Sequence, residues 1–483
     1  MHGLQRAMSK ITLKPSADSE LYQTPYVNGD NFVDFRDDDV ENPTNWSLTR
    51  KRYITAMVVI LSLNGSIASS ITAGSTQSIR DEFGISNVTV QLTTSVFLLG
   101  FCAGPLIFAP LSEFYGRRWM LYTTFFLYVC FTYLAAWSPN FEGLLVGRFL
   151  AGAFAAGPLA ITSGVLVDLW DRGECGNAMG ILICTSWIGP ALGTVISGFF
   201  QLKKDWHWGM YACLWLGSFS MTLMFTIPET HGSTILVQTA KRARQHGHDV
   251  QAEAEVSSPK LLQLYKIALT RPWVLLFDTI CFLCCLYSCV ISALQYMLFT
   301  IYPLVFRDMR GWNAGVSQLP ILGHAIGLVI MFGHTKRRKN REDMGRDMLP
   351  EDHMVLAMIG GVGFPISMLW LSWSAHNHSV HWIVPTASGA VLATCLMLIH
   401  VSCCSYISDT YGDYAASAVA VNIVARCLSS AGSSLFTTQM FNVMGIGGCG
   451  SLIAGVAALL AITPFLFYRY GHFIRSKSKY ALD

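Results

Sequence analysis

The sequence predicts an all-α polytopic membrane protein, twelve transmembrane helices in two six-helix halves. Three observations predict it. Charged residues make up only 13 % of the 483 residues and apolar residues 52 %; an ordinary soluble domain carries roughly 25 % charge. The mean hydropathy is +0.42. The apolar residues gather into runs of the ~20 residues a helix needs to cross a bilayer. This pattern excludes a soluble enzyme, a single-span receptor and a β-barrel, whose strands alternate in short segments.

In order, six runs fall at Tyr53–Ala73, Val90–Leu111, Trp119–Trp137, Leu144–Val167, Gly176–Phe200 and Trp208–Ile227. Six more fall at Val274–Tyr302, Ala314–Gly333, Met354–Trp373, Trp382–Tyr406, Ala415–Met440 and Gly450–Phe467. We number them spans 1 to 12. They define an N-terminal bundle over 53–227 and a C-terminal bundle over 274–467. Outside lie a polar tail (1–52), a central linker (228–273) and a short basic tail (468–483). Two six-span halves in parallel repeat are an architecture of secondary transporters.

Lysine and arginine set the orientation. With the N-terminus in the cytoplasm, 26 of the 33 fall on the cytoplasmic side and 5 outside; Arg148 and Arg426 lie within spans. That bias is the positive-inside pattern and places both termini in the cytoplasm. Residues 1–52 lack the apolar stretch of a secretory signal, so span 1 is expected to serve as the targeting signal. The cysteines, such as Cys281, Cys284, Cys285 and Cys289, lie mostly within apolar runs and read as small hydrophobes, with no metal site. No phosphate-binding G-x-x-x-x-G-K-[ST] loop occurs, so ATP-driven pumping and a nucleotide cofactor are not expected. A potassium-type filter sequence is absent too.

Several local patterns carry mechanism. Between spans 2 and 3 the chain reads Pro110-Leu-Ser-Glu-Phe-Tyr-Gly-Arg-Arg118. Gly116 permits a tight turn, and Glu113 is placed to reach a basic partner or a helix N-terminus. Span 4 holds Gly147-Arg148 and small residues; its end carries Asp168, a partner for Arg117 or a solvated loop acid. A charge within the bilayer costs at least about 2.5–3.5 kcal/mol and normally faces a cavity or a partner. Arg148 sits about one turn into its span, so it either faces a cavity or partner or snorkels outward. Span 5 carries Gly180, Gly189, Pro190 and Gly193, spaced for close helix packing with a bend.

These three patterns resemble motifs A, B and C of the major facilitator superfamily; motif C is associated with its antiporters. Further stretches resemble its fungal twelve-span drug:proton antiporter family: Asn42-Pro-Thr-Asn-Trp-Ser47, Pro228-Glu-Thr230, Tyr302-Pro-Leu-Val-Phe306 with Gly311-Trp-Asn313, His381-Trp-Ile-Val-Pro385 and Tyr414-Ala-Ala-Ser-Ala418. The resemblance spans residues 42 to about 480. It implies that Glu113, Gly116, Arg117, Arg118 and Asp168 gate the cytoplasmic face and latch one state of the transport cycle. It gives Arg148 a role in proton coupling, through a nearby acid or a water network. Ala109, Thr194 and Ser197 depart from the family pattern. Many relatives also carry a Glu before the Tyr-Pro-x-Val-Phe stretch, where this chain has Phe299-Thr300-Ile301. That departure disfavours a polycationic substrate.

The centrally placed ionisable residues are His324, His400 and Arg426. Either histidine suits proton exchange or serves as a buried structural group. Arg426, one turn from Asn422, suits an anionic or carbonyl-bearing solute or pairs with backbone carbonyls. Asn64, Trp187, Gln295, Tyr296 and Gln318 are further candidates for lining a substrate cavity. Asn87 and Asn377 head sequons in short outer loops and are candidate glycosylation sites.

The resemblance implies a non-enzymatic efflux pump of the multidrug-resistance type. It would export a lipophilic small molecule, a drug, toxin or fungal secondary metabolite, by proton antiport with alternating access. The expected partners are the solute, protons and the lipid bilayer, with no nucleic acid, the proton gradient as energy source and the monomer as working unit. The expected site is the cell membrane rather than the vacuole. A proton-coupled nutrient uptake symporter and a non-transporting sensor of the same fold remain the alternatives.

Overall fold

The structure, a computed structural model, describes residues 32–36, 39–257, 261–327, 329, 350–377 and 379–480. It has two compact units. The larger, from Ser47–Thr230 and the described residues after 260, is an all-helical bundle. Its first half comprises Leu48–Ser70, Asn87–Tyr115, Arg117–Ala136, Phe141–Leu169, Arg172–Phe200 and His207–Met224. Span 1 is prolonged by a helical extension, Thr76–Phe83. Local caps start the helices where the sequence changes character. Ser86 Oγ accepts from Thr89 N at 3.2 Å to open span 2, and Asn140 Oδ1 accepts from Gly143 N at 2.9 Å to open span 4.

The second half comprises Thr279–Tyr302, a 3-10 segment Val316–Gly323 that leads into span 8, Met354–His376 and Ile383–Tyr411. Spans 11 and 12 follow in Ala415–Leu460, and the chain continues as Ile462–Arg475. The break between the last two spans is Gly445 (φ 69°, ψ 171°), a conformation that glycine adopts without steric cost. Most of span 8 beyond Gly327 lies outside the described residues. Among those described, nine helical stretches are long and apolar enough to cross a membrane, and Ala415–Arg475 counts as one of them.

One boundary differs from the sequence reading. The stretch expected to be polar linker up to residue 273 ends in a helix, Leu261–Leu276, which runs through Pro272. Its composition is largely apolar, and the chain breaks at Phe277 and Asp278, inside the run expected as span 7 and just before the helix Thr279–Tyr302. The Asp278 carboxylate accepts from Tyr411 Oη and, at 2.9 Å, from Ser478 Oγ.

Glycines let the helices of the first half approach closely. Gly100 and Gly152 lie against the backbone carbonyls of Phe149 and Phe97, so spans 2 and 4 meet with no side chain between them. Gly189 and Gly193 press in the same way on Ser66 and Ile67 of span 1.

The smaller unit joins two segments that read as separate in the sequence, the tail and the linker. Phe32–Val33 (β1) pairs in parallel with Gln251–Ala252 (β2) beside the helix Gly232–Gln245. Val33, Ala240, Ala243, Val250 and Ala252 form its apolar centre. Glu41 accepts from Thr239 Oγ1 at 2.8 Å and lies 3.7 Å from Arg242. Arg244 grips Glu255 with two bonds of 2.8 and 2.7 Å. That hydrogen bonding raises the Arg244 guanidinium above its ordinary value and lowers the Glu255 carboxyl below its own.

Candidate functional site

A cavity of about 50 Å³ lies within the larger unit, between its two halves. The first half contributes Ser66, Ser69, Leu98, Phe101, Leu159, Ser186 and Pro190; the second contributes Ser292, Gln295, Tyr296, Arg426, Cys427 and Ser430. Two bonds cross between the halves here. Gln295 Nε2 donates to Trp187 O at 3.2 Å. Tyr296 Oη lies 2.9 Å from Ser69 Oγ. Ser69 already donates its proton to Ser66 O at 2.7 Å, so the tyrosine is the donor.

Arg426 is the one charged residue of this lining. Its Nη1 lies 2.8 Å from His400 Nε2. A guanidinium only donates, so His400 Nε2 accepts and the ring is neutral in this geometry. Cys404 Sγ sits 3.9 Å from the ring's Nδ1. The Trp187 indole packs on His400 with centroids 5.2 Å apart and on His324 at 6.5 Å. His324 Nδ1 lies 2.7 Å from Ile321 O and is the protonated nitrogen there.

Arg148 is 1 % exposed and does not reach the bilayer surface. It donates to Thr93 O at 3.1 Å, Ala68 O at 2.7 Å and Ser69 O at 3.3 Å. Its guanidinium carbon stands 4.2 Å from the centre of the Phe97 ring. Among the described residues it makes no ion pair. It ties spans 1, 2 and 4 together and fixes the backbone of Ser69, whose side chain lines the cavity.

The turn between spans 2 and 3 builds a polar cluster. Gly116 has φ 92°, in the region that favours glycine. Arg117 Nε pairs with Asp168 Oδ2 at 3.0 Å, and its Nη1 donates to Ser112 Oγ at 2.7 Å. The guanidinium covers Gly164, where a side chain would collide with it. Glu229 accepts from the backbone N–H groups of Arg117 (3.0 Å) and Arg118 (3.1 Å). It thereby caps the N-terminus of span 3, with its charge at the positive end of the helix. Arg118 Nε donates to Tyr122 Oη at 3.0 Å.

The sequence of residues 56–434 matches the family described as the Major Facilitator Superfamily. The chain belongs to this superfamily. It is 34 % identical to the major facilitator superfamily multidrug transporter mdrA of Aspergillus fumigatus, over 93 % of this chain and 76 % of that one. It is 34 % identical to the efflux pump FUBT of Fusarium oxysporum, over 95 % of this chain and 78 % of the other. The MFS-type efflux pump MFS2 of Trichophyton rubrum is 34 % identical over 92 % and 76 %. Among solved structures, the proton:xylose symporter XylE superposes with a TM-score of 0.62 at 14 % identity, covering 88 % of this chain and 96 % of that one. The human organic anion transporter MFSD10 gives 0.58 at 15 %, covering 86 % and 99 %. The protein is therefore a multi-pass membrane transporter of the major facilitator fold, and not an enzyme.

In this facilitator, three of the seven candidate cavity residues, Gln295, Tyr296 and Arg426, line the space. Trp187 stands beside it on the two histidines. Asn64 donates instead to Ile60 O at 2.8 Å and Ser220 Oγ at 2.9 Å, on the side of span 1 that meets span 6. Gln318 is buried near Gly198, and Asn422 donates to Cys285 Sγ at 3.6 Å. Of the span 5 glycines, Gly189 and Gly193 pack tightly, whereas Gly180 has open space around it. Pro190 O accepts from Ser70 Oγ at 2.6 Å, a bond from span 1 to span 5.

Glu113 has no ion pair among the described residues; Glu229 occupies the helix terminus that Glu113 was expected to reach. In the sequence Glu229 stood out only as part of the family-like stretch Pro228-Glu-Thr230. Asn87 and Asn377 are exposed. Asn87 is the first residue of span 2 and accepts from Arg80 Nη1 at 3.2 Å; Asn377 accepts from Ser379 N at 3.1 Å.

Proposed function

We propose that this transporter exports lipophilic small molecules, a drug, toxin or fungal secondary metabolite, in exchange for protons. The two halves alternate access to the cavity between them. The observation that carries the proton part is the contact between Arg426 and His400. A neutral imidazole accepts from the guanidinium; a protonated one has no lone pair to offer and repels it. A proton and a solute thus act on the same pair, which is what coupling requires. His324, one ring away across Trp187, is the second candidate. Arg148 acts here as a positioning residue, through Ser69. The names of the curated relatives, multidrug transporter and efflux pump, support the outward direction.

In this reading the termini and the cluster of Arg117, Arg118, Asp168 and Glu229 face the cytoplasm of a plasma-membrane protein that works as a monomer. The polar cluster holds one side of the first half rigid while the halves rock. Contacts across the halves near the opposite end support a closed outer side. Ser95 Oγ donates to Ala431 O at 2.8 Å, Arg307 binds Gln77, and Gly315 lies against the Phe199 ring.

The test is flux in inside-out plasma-membrane vesicles with an acid interior and a panel of antifungals and fungal metabolites. Accumulation that a protonophore abolishes, and that His400→Gln uncouples from the proton gradient, is the expected result. Accumulation only under the reversed gradient overturns export in favour of uptake. Absence of flux with every compound favours a sensor.

A further inference from the structure

The hydrogen bonds around the cavity say what chemistry it lacks. Four of its hydroxyls already donate within their own helices. Ser66 donates to Ser62 O, Ser69 to Ser66 O, Ser186 to Leu182 O and Ser430 to Arg426 O. Tyr296 donates to Ser69 and Gln295 to Trp187 O. The exception is Ser292. The residue is 2 % exposed and lines the cavity, and its hydroxyl has no partner among the described residues.

Arg426 shows the same imbalance in charge. Among the described residues its one hydrogen bond through the guanidinium goes to a neutral imidazole. The cavity lining contains no Asp or Glu. Arg426 is half-buried, and even partial withdrawal of a cation from water is unfavourable when no counter-charge meets it. Arg148 avoids much of that cost by donating to three carbonyls. Arg426 lines the cavity with a single guanidinium bond among the described residues, and a fork of this shape matches a carboxylate.

We infer that the cavity receives the carboxylate, or another planar acidic group, of an organic anion, held by Arg426 with the Ser292 hydroxyl as second donor. The ligand provides the missing counter-charge and satisfies the orphaned hydroxyl. At about 50 Å³ the space holds a polar head group in this state; a lipophilic body requires the halves to part. The inference deepens the transport reading and rests on it only for the ligand's route across the membrane.

The test uses purified full-length protein and three probes of one shape: naphthalene-2-carboxylate, its methyl ester and 2-naphthylmethylammonium. Binding is read from quenching of tryptophan fluorescence and from the shift in thermal unfolding. The carboxylate is expected to bind at least about tenfold more tightly than the ester or the ammonium, a difference of about 1.4 kcal/mol. Arg426→Gln removes that preference, Arg426→Lys retains part of it, and Ser292→Ala weakens the carboxylate several-fold without touching the ester. Equal binding of acid and ester overturns the inference. So does a preference that survives Arg426→Gln, or no carboxylate binding up to its solubility. If Arg426→Gln fails to fold, the lysine and Ser292→Ala variants decide by the same ratio. The vesicle assay separates the two readings: binding without flux leaves the anion site standing and removes transport, and flux of uncharged compounds alone does the reverse.

Discussion

Two arginines lie within the bundle, and their surroundings differ in kind. Arg148 is saturated: three backbone carbonyls take its donors and the Phe97 ring covers its face. Arg426 is half open, bonded to one neutral histidine and bordering a cavity. A saturated buried cation is a fastener, because moving it leaves acceptors unsatisfied on several helices at once. An open one is a binding group, because it improves its position when something arrives. An intramembrane arginine therefore has no single meaning, and its acceptor list decides which kind it is.

The largest effect is expected at the fastener. Arg148→Ala orphans three carbonyls and opens a void, a loss of about 3 kcal/mol or more. Thermal unfolding of the purified variant measures it. Arg148→Lys is expected to fare little better, since one ammonium does not reproduce the fork that serves spans 1 and 2. Near-wild-type stability in either variant would break the contrast.

At the open arginine the expectation is reversed. Arg426→Gln is expected to lose most transport while unfolding within about 1 kcal/mol of wild type, because it removes a half-buried, unpaired charge together with one hydrogen bond. A variant that transports normally, or that unfolds as easily as Arg148→Ala, would make Arg426 a second fastener.

The sequence made the fold legible because the bilayer allows few solutions: runs of about 20 apolar residues, basic loops and glycine spacings each carry a physical requirement. It also offered Arg117 as a partner for Asp168, and marked His400 and Arg426 one at a time. It could not show that His400 and Arg426 touch, since they sit on different spans and helical periodicity relates residues only along one helix. Asn64 and Gln295 illustrate the same limit. Both are buried polar residues within apolar spans, yet one faces span 6 and the other the cavity, and only packing distinguishes them. The clasp of tail and linker was hidden for another reason. Each strand has two residues, too short for any alternation to register.

Glu229 offers a prediction of intermediate size. Its carboxylate takes two N–H groups at the start of span 3, and an acidic cap of this kind contributes about 1–2 kcal/mol. Glu229→Ala is expected to lower the unfolding temperature by that measure, while Glu113→Ala, at the acid that the resemblance emphasised, leaves it nearly unchanged. Equal losses at both positions would mean that Glu113 carries a contact in another state of the cycle.

The smallest effect is expected in the unit built from tail and linker, where the Arg244–Glu255 pair is largely exposed and water screens it. Its sign is nevertheless definite. The folded state holds the Glu255 carboxyl below its ordinary value, so the pair's contribution is fully present above the unfolded carboxyl pKa, about 4.3. It is lost as the pH falls through the lower folded value. Amide-exchange protection at Val33 and Ala252 is therefore expected to hold from neutrality to about pH 5 and to fade only below about pH 4. In Glu255→Gln the reduced protection should already be present at neutral pH and stay flat on acidification. If the variant keeps full protection throughout, the apolar contacts of Val33 with Ala240, Ala243 and Val250 close the clasp alone, and the ion pair only decorates it.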